Sequence, residues 1–165
     1  MGKWNPMKIG LISDTHGKIH PDVFEKFQKV DLILHAGDLD SEEILIELEA
    51  LAPVYAVRGN MDHGLLASRL PETRLLEFEG VSLMLIHQGL WGNTPSLPVQ
   101  EAMAKKKIDL VCFGHTHQPY WGQIQDTWFL NPGAAGKPRF HYPLGIALII
   151  LSKGKFDTEI ISLPV

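Results

Sequence analysis

A chain of 165 residues with 45% hydrophobic and 21% charged content can bury one sizeable core, which excludes a disordered or fibrous class. Its formal net charge of −4 excludes the broad basic face on which non-specific nucleic-acid binding depends, so no stable nucleic-acid binding is expected. The single Cys112 excludes an intrachain disulfide and favours a reducing, cytoplasmic setting. Within "DLVCF" that thiol reads as a buried structural residue.

The opening "MGKWNPMKIG" has no apolar run ahead of a cleavage site, so no signal peptide is expected. The longest strongly apolar stretch, "LGIALIIL", is far short of a membrane span and reads as a buried strand. Residues 1–6 are expected to be an extension, and residues 7–165 a single domain without repeats or linkers.

In chain order, "MKIGLIS" reads as a strand and "PDVFEKFQK" as a short helix with Pro21 in its first turn. "DLILHAG" is the next strand. "SEEILIELEAL" is a helix capped by Asp40 or Ser41, with Glu42 and Glu43 at its positive end. "PVYAVRG" is a third strand. "RLLEFEGVSLMLIHQ" reads as two strands joined at Glu79-Gly80. "PVQEAMAKKK" is a helix closed by lysines, and "IDLVCFG" a strand. The last third is almost wholly β, through "YWGQIQ", "TWFLNPG", "YPLGIALIILS" and "KFDTEIISLP". An α/β first half running into a β-rich tail predicts two sheets packed face to face with helices outside.

The residues that end the apolar runs carry the chemistry. "KIGLIS" ends at Asp14 with His16 beyond, "LILHAG" at Asp38, "VYAVRG" at Asn60, "SLMLI" at His87, and "LVCFG" at His115 with His117 beyond. Ligands of α/β sheets bind at the carboxyl ends of strands, so these seven donors converge if their strands are neighbours. Gly37, Gly59 and Gly114 precede three of them and permit close backbone approach. Singly, each donor has a bland reading: a helix cap, a turn residue, a hydrogen-bonded histidine. Jointly, those readings must explain one coincidence five times over.

Seven donors exceed the four of a typical zinc site and suit two divalent ions about 3.5–4 Å apart sharing a carboxylate. Two such ions less two carboxylates leave a positive centre that attracts a phosphate oxyanion. The mixed oxygen and nitrogen set suits such metals better than a thiolate-preferring one; Mn²⁺ is the expected pair, with Fe²⁺, Zn²⁺ or Ni²⁺ as alternatives.

The ordered motifs "SDTH", "GDLD", "GNMD", "LIHQG" and "GHTH" resemble the calcineurin-like metallophosphoesterase superfamily. "HAGD", "VRGN" and the late "NPG" narrow the resemblance to its small, capless bacterial and archaeal phosphodiesterases. That resemblance implies a four-layer α/β/β/α sandwich of two mixed sheets flanked by helices. It places one metal on Asp14, His16, Asp38 and His117, and the other on Asp38, Asn60, His87 and His115, with Asp38 bridging. It implies hydrolysis of a phosphate-ester small molecule or nucleotide by a metal-bridged hydroxide, with Asp38 and Asn60 in the catalytic centre. Phosphomonoester hydrolysis, or a non-catalytic protein-interaction scaffold on the same fold, are the alternatives.

The chain departs from the family pattern at Met61, where many members have a proton-donating His. His63, two residues on, is the expected substitute general acid. "HQG" supplies Gln88 and Gly89 where a second His is common, and Ala134 replaces a Ser. Arg58 is expected either to contact phosphate, with Asn60, or to pair with Asp40 or Asp62. His35 is expected to fix a loop, and Trp91, Trp121 and Trp128 to pack in the core.

Overall fold

Alternation along the strands decides the layers. In the computed structural model, which describes residues 5–165, β1 (Met7–Ile12) turns Ile9 and Leu11 to one face and Gly10 and Ile12 to the other. β2 (Leu32–His35) splits the same way, with Leu32 and Leu34 opposed to Ile33. The first face meets Leu83 and Leu85 of β5 (Val81–Ile86) and Leu110 and Cys112 of β8 (Leu110–Cys112) in a core between two sheets. Of the expected extension, residues 1–4 lie outside the described residues; Asn5 and Pro6 precede β1 as exposed chain.

The first sheet has the order β12-β11-β1-β2-β3, completed by β3 (Val54–Ala56), β11 (Leu144–Ser152) and β12 (Lys155–Leu163). The strands β1, β2 and β3 run parallel; β11 and β12 are antiparallel additions. The second has the order β4-β5-β8-β10-β9, with β4 (Thr73–Phe78), β9 (Tyr120–Ile124) and β10 (Thr127–Asn131). Here β5, β8 and β10 are parallel, and β4 and β9 antiparallel edges. Both sheets are thus mixed, and each keeps a parallel centre.

Helices cover the outer faces. α1 (Asp22–Lys26), α2 (Glu42–Glu49) and α3 (Gly64–Arg69) give Val23, Ile44, Leu48 and Leu66 to the core outside the first sheet. α4 (Leu97–Lys105) packs Val99 against Met84, Ile86 and Val111 of the second. The architecture is the expected four-layer α/β/β/α sandwich.

Ser41, rather than Asp40, caps α2, its hydroxyl accepting from the Glu43 N–H at 3.2 Å. α1 is shorter than its sequence pattern, because the chain turns at Phe27 to seat that ring on Gly10. α4 stops at Lys105, where Lys106 becomes extended and delivers buried Ile108 towards β8. Neither α3 nor the two-residue strands β6 (Leu90–Trp91) and β7 (Thr94–Pro95) left a periodic signal long enough to read.

Candidate metal centre

Every expected ligand lies just past the carboxyl end of a strand: Asp14 and His16 after β1, Asp38 after β2, Asn60 after β3, His87 after β5, His115 and His117 after β8. The two parallel centres bring these ends to one rim, and hydrogen bonds within and between the sheets lock them. The His115 N–H donates to Asp14 Oδ2 at 3.0 Å and the Gly114 N–H to the His87 carbonyl at 3.0 Å. Asp14 N–H donates to the Gly37 carbonyl, and His16 N–H to that of Asp38. A Cβ at Gly59 would strike Asp38, and one at Gly114 would strike Ser13 and Asp14. Both glycines are required by close approach.

The donors form two groups, Asp14 with His16 and His117, and Asp38 with His87 and His115. In the first, His16 Nε2 and His117 Nε2 stand 3.2 Å apart, and Asp14 Oδ1 lies 3.4 Å from His117 Nε2 and 3.9 Å from His16 Nε2. In the second, His115 Nδ1 lies 3.3 Å from His87 Nε2, and Asn60 Oδ1 lies 2.9 and 3.0 Å from those same two nitrogens. Asp38 Oδ2 faces both groups, 3.2 Å from His87 Nε2 and 3.8 Å from His16 Nε2.

Outer hydrogen bonds fix which nitrogens point inward. His87 Nδ1–H donates to the Ala36 carbonyl at 2.8 Å, and His16 Nδ1–H to Asp40 Oδ2 at 3.0 Å. Each ring therefore turns its Nε2 to the centre. Ring nitrogens crowded together, with the fully buried Asp14 Oδ1 lacking any hydrogen bond, are a poor arrangement for a protein alone. A cation between them satisfies all of these atoms, so the residues fit divalent metal ions.

The electrostatics agree. Burial alone would raise the Asp14 and Asp38 carboxyls, but the His117 and His87 imidazoles facing them hold both below their usual range. Burial would lower His87, yet Asp38 and Asp14 hold it above its ordinary value. At neutral pH both carboxylates are therefore ionised and oriented inward.

Several supporting residues escaped the sequence pattern. Asp62 accepts from three backbone N–H groups, those of Asp38, Asp40 and Gly59, at 2.8–3.0 Å. Asp38 Oδ1 accepts from the Met61 N–H at 2.8 Å, which frees Oδ2 for the centre. Asn131 donates to the Gly114 carbonyl and to Thr116 Oγ1, bracing the turn that carries both late histidines. A carboxylate one turn from a motif, and an Asn opening "NPG", were the available signals.

Arg58 pairs with neither Asp40 nor Asp62, whose carboxylates serve His16 and the backbone. Its guanidinium donates to the Leu70 carbonyl at 2.9 Å and stands 3.9 Å from Glu72. It still borders the centre, in an open cleft of about 290 Å³ shared with Asn60, His87 and Gln88. His63 occupies the N-cap position of α3, exposed and with no capping hydrogen bond. Gln88 sets its carboxamide 3.3 Å from His115 Nε2. Core packing fails for two of the tryptophans: Trp91 is 62% exposed in the cleft wall, and Trp121, 41% exposed, stacks at 4.6 Å on half-buried Trp128. Cys112 is buried and its thiol is pushed up to about 12 by that burial, so it is inert.

Over residues 7–154 the chain matches the calcineurin-like phosphoesterase superfamily domain. It belongs to that family. A protein of Methanothermobacter thermautotrophicus described as a "Probable metallophosphoesterase" is 40% identical over 94% of this chain and 92% of its own. A phosphodiesterase of Methanocaldococcus jannaschii is 27% identical over 93% of this chain and 94% of its own. Among solved structures, vacuolar protein sorting 29 from Cryptosporidium parvum superposes with a TM-score of 0.75 at 19% identity, covering 97% of this chain and 99% of that one. That last likeness concerns the fold. No helix among the described residues is long and apolar enough to cross a membrane.

His35 has the loop-fixing role expected of it. Its Nε2 meets Thr15 Oγ1 at 3.0 Å and its Nδ1 accepts from the Gly37 N–H at 3.1 Å. Burial lowers its pKa to about 3, whereas the unfolded chain takes up that proton near 6.5. Between those values the unfolded state binds the extra proton, so metal-free protein loses stability as pH falls from about 6.5 towards 3. Urea unfolding across that window should show His35→Gln with a slope shallower by about 1.4 kcal/mol per pH unit; equal slopes would refute the assignment. Removing the carboxylate that orients His16, by Asp40→Ala, should weaken metal binding about 10–100-fold in a competition titration with a chelator.

Proposed function

We propose that this member of the family is a two-metal phosphodiesterase, with Asp14, His16, Asp38 and His117 on one ion and Asp38, Asn60, His87 and His115 on the other. One observation carries the reading: a single oxygen, Asp38 Oδ2, faces both donor groups, which is what a shared ligand requires. When bound, a divalent pair makes water a nucleophile near neutral pH and draws charge from a phosphate ester. Mn²⁺ is the first choice, with Fe²⁺, Zn²⁺ or Ni²⁺ as alternatives for the same oxygen and nitrogen donors.

The chain's own groups do the rest. Asn60 turns Oδ1 to His87 and His115, which leaves its amide N–H groups to donate to a phosphate oxygen. Arg58, in the same cleft, adds a cation on that side. His63 is the proposed proton donor to the leaving group, carried on the exposed turn before α3. A diester suits an open cleft that leaves room for both ester arms, and the Methanocaldococcus jannaschii relative is itself named a phosphodiesterase.

Metal analysis of the purified protein should find two ions per chain, and bis(4-nitrophenyl) phosphate should be turned over faster than 4-nitrophenyl phosphate. The Asp38→Asn variant should hold fewer ions and lose more than the ~10–100-fold that removing an outer partner costs. Strong monoester preference would overturn the diester assignment. Metal-loaded protein inert towards every activated diester would favour the scaffold alternative. His63→Ala should slow a diester with a poor leaving group by about 10²–10⁴-fold while sparing 4-nitrophenyl esters, and equal rates on both would remove His63 from the mechanism.

A further inference from the structure

The two large sheets end in four edge strands, β3, β4, β9 and β12. A free edge offers unpaired N–H and C=O groups to any chain that can align with it. Three of the four are guarded. On β3 the Ala56 carbonyl accepts from Arg74 at 2.8 Å, and that guanidinium also lies 5.2 Å from the Tyr55 ring centroid. β4 supplies that arginine and carries Glu77 besides. β12 places Lys155, Asp157 and Glu159 at every second position, all exposed. β9 has no such guard. No charged side chain occurs from Gln118 to Gln125, and among the described residues nothing pairs with the outer side of the strand.

Burial alternates along β9, with Tyr120, Gly122 and Ile124 half-buried and Trp121 and Gln123 exposed. Trp121 stays exposed although it stacks on Trp128 and meets Phe156 edge-on, with centroids 6.5 Å apart. The backbone alternates too. A two-residue turn, Gln125-Asp126, joins β9 to β10 and sets Ile124 opposite Thr127. In such a hairpin the pair beside the turn exchanges both hydrogen bonds, and every second pair after it does the same. Tyr120, Gly122 and Ile124 therefore direct their N–H and C=O groups to β10, while Trp121 and Gln123 direct theirs outward. The exposed side chains and the unpaired backbone groups belong to the same two residues.

A second copy fits this edge by symmetry. With a two-fold axis through Gly122, antiparallel pairing sets Trp121 opposite the partner's Gln123, and Gln123 opposite the partner's Trp121. Their outward N–H and C=O groups close four hydrogen bonds. The two Gly122 residues meet on the axis as the closer, non-hydrogen-bonded type of pair, with no side chains between them. The two Trp121 rings lie diagonally across the axis, within aromatic reach. No like charges face one another, whereas the same operation on β12 about Thr158 would set Asp157 against the partner's Glu159. We propose that this protein forms a two-fold dimer in which β9 pairs with β9 of a second copy, joining two five-stranded sheets into one. β9 begins just beyond His117, so antiparallel pairing sends the two metal centres to opposite ends of the joined sheet and leaves both open.

Sedimentation velocity of the full chain, from low to high micromolar concentration, tests this. The wild-type protein should reach twice the chain mass. Trp121→Lys removes the ring and brings two cations near the axis, and should raise the dimer dissociation constant at least about tenfold. Adding Gln123→Glu to that variant places a carboxylate opposite each cation and should restore the dimer. Leu75→Lys, at an exposed position of the β4 edge, should leave the wild-type behaviour unchanged. Amide exchange of the unsubstituted protein gives a second readout. The Trp121 and Gln123 N–H groups should exchange slowly at high concentration and faster on dilution, while those of Gly122 and Ile124 stay slow throughout. A wild-type chain that remains monomeric at high micromolar concentration overturns the proposal. So does a dimer that survives Trp121→Lys or that Leu75→Lys disperses, since either places the contact elsewhere. Failure of the double variant to dimerise overturns the register about Gly122. If Trp121→Lys does not fold, exchange at Trp121 and Gln123 decides alone, and rates independent of concentration overturn the pairing.

Discussion

The orientation of one carboxylate, that of Asp38, decides whether two donor groups can act as one centre. The Met61 N–H takes Oδ1, the Asp62 carboxylate takes the Asp38 N–H, and Oδ2 is left facing His87 and His16. Asp62 does this while also holding the N–H groups of Asp40 and Gly59. The loops after β2 and β3 are thus tied to each other before any ion arrives. Preorganisation of this kind lets the metals bind to a formed site, so little binding energy is spent on ordering loops.

The same constraint is visible in the backbone. Five of the seven proposed ligands, Asp14, His16, Asp38, His115 and His117, have positive φ, between 46° and 72°. For residues other than Gly such conformations cost about 1–3 kcal/mol each and persist only where the surroundings over-determine them. Here the surroundings do so, through the Asp14–Gly37, His16–Asp38, His115–Asp14 and Asn131–Gly114 hydrogen bonds. The left-handed turns let a strand end reverse at once, so that donors two residues apart, such as His115 and His117, serve different groups. Extended chain would send side chains two residues apart to the same face.

The convergence of the donors was legible because their residue types are chemically restricted and their places are set by strand ends, which hydrophobic patterning reveals. The layers were legible for the same reason: Ile9, Leu11, Leu32 and Leu34 alternate with residues of the opposite face. What escaped was whatever depends on contacts between distant segments. Asp40 reads locally as a helix cap, and only the fold brings it to His16. Asn131 reads as turn chemistry, and only the pairing of β10 with β8 sets it under the histidine turn. Trp91 reads as core by composition, and only the short hairpin of β6 and β7 turns its ring outward.

The rim divides into a locked part and freer flanks, and the division has a functional logic. The ligands are cross-braced between two sheets, so changes to the surrounding loops leave the cation chemistry in place. The flanks are surface segments with few such ties. On one side stands Trp91. On the other, Phe140 is 71% exposed, yet its ring lies edge-on to His117 with centroids 6.1 Å apart. Substitution in these segments alters the borders of the rim without moving Asp14, Asp38 or the histidines. Under the proposed hydrolase reading, selectivity can therefore vary while the donor cluster stays constant, as expected when specificity residues ride on loops above a rigid scaffold.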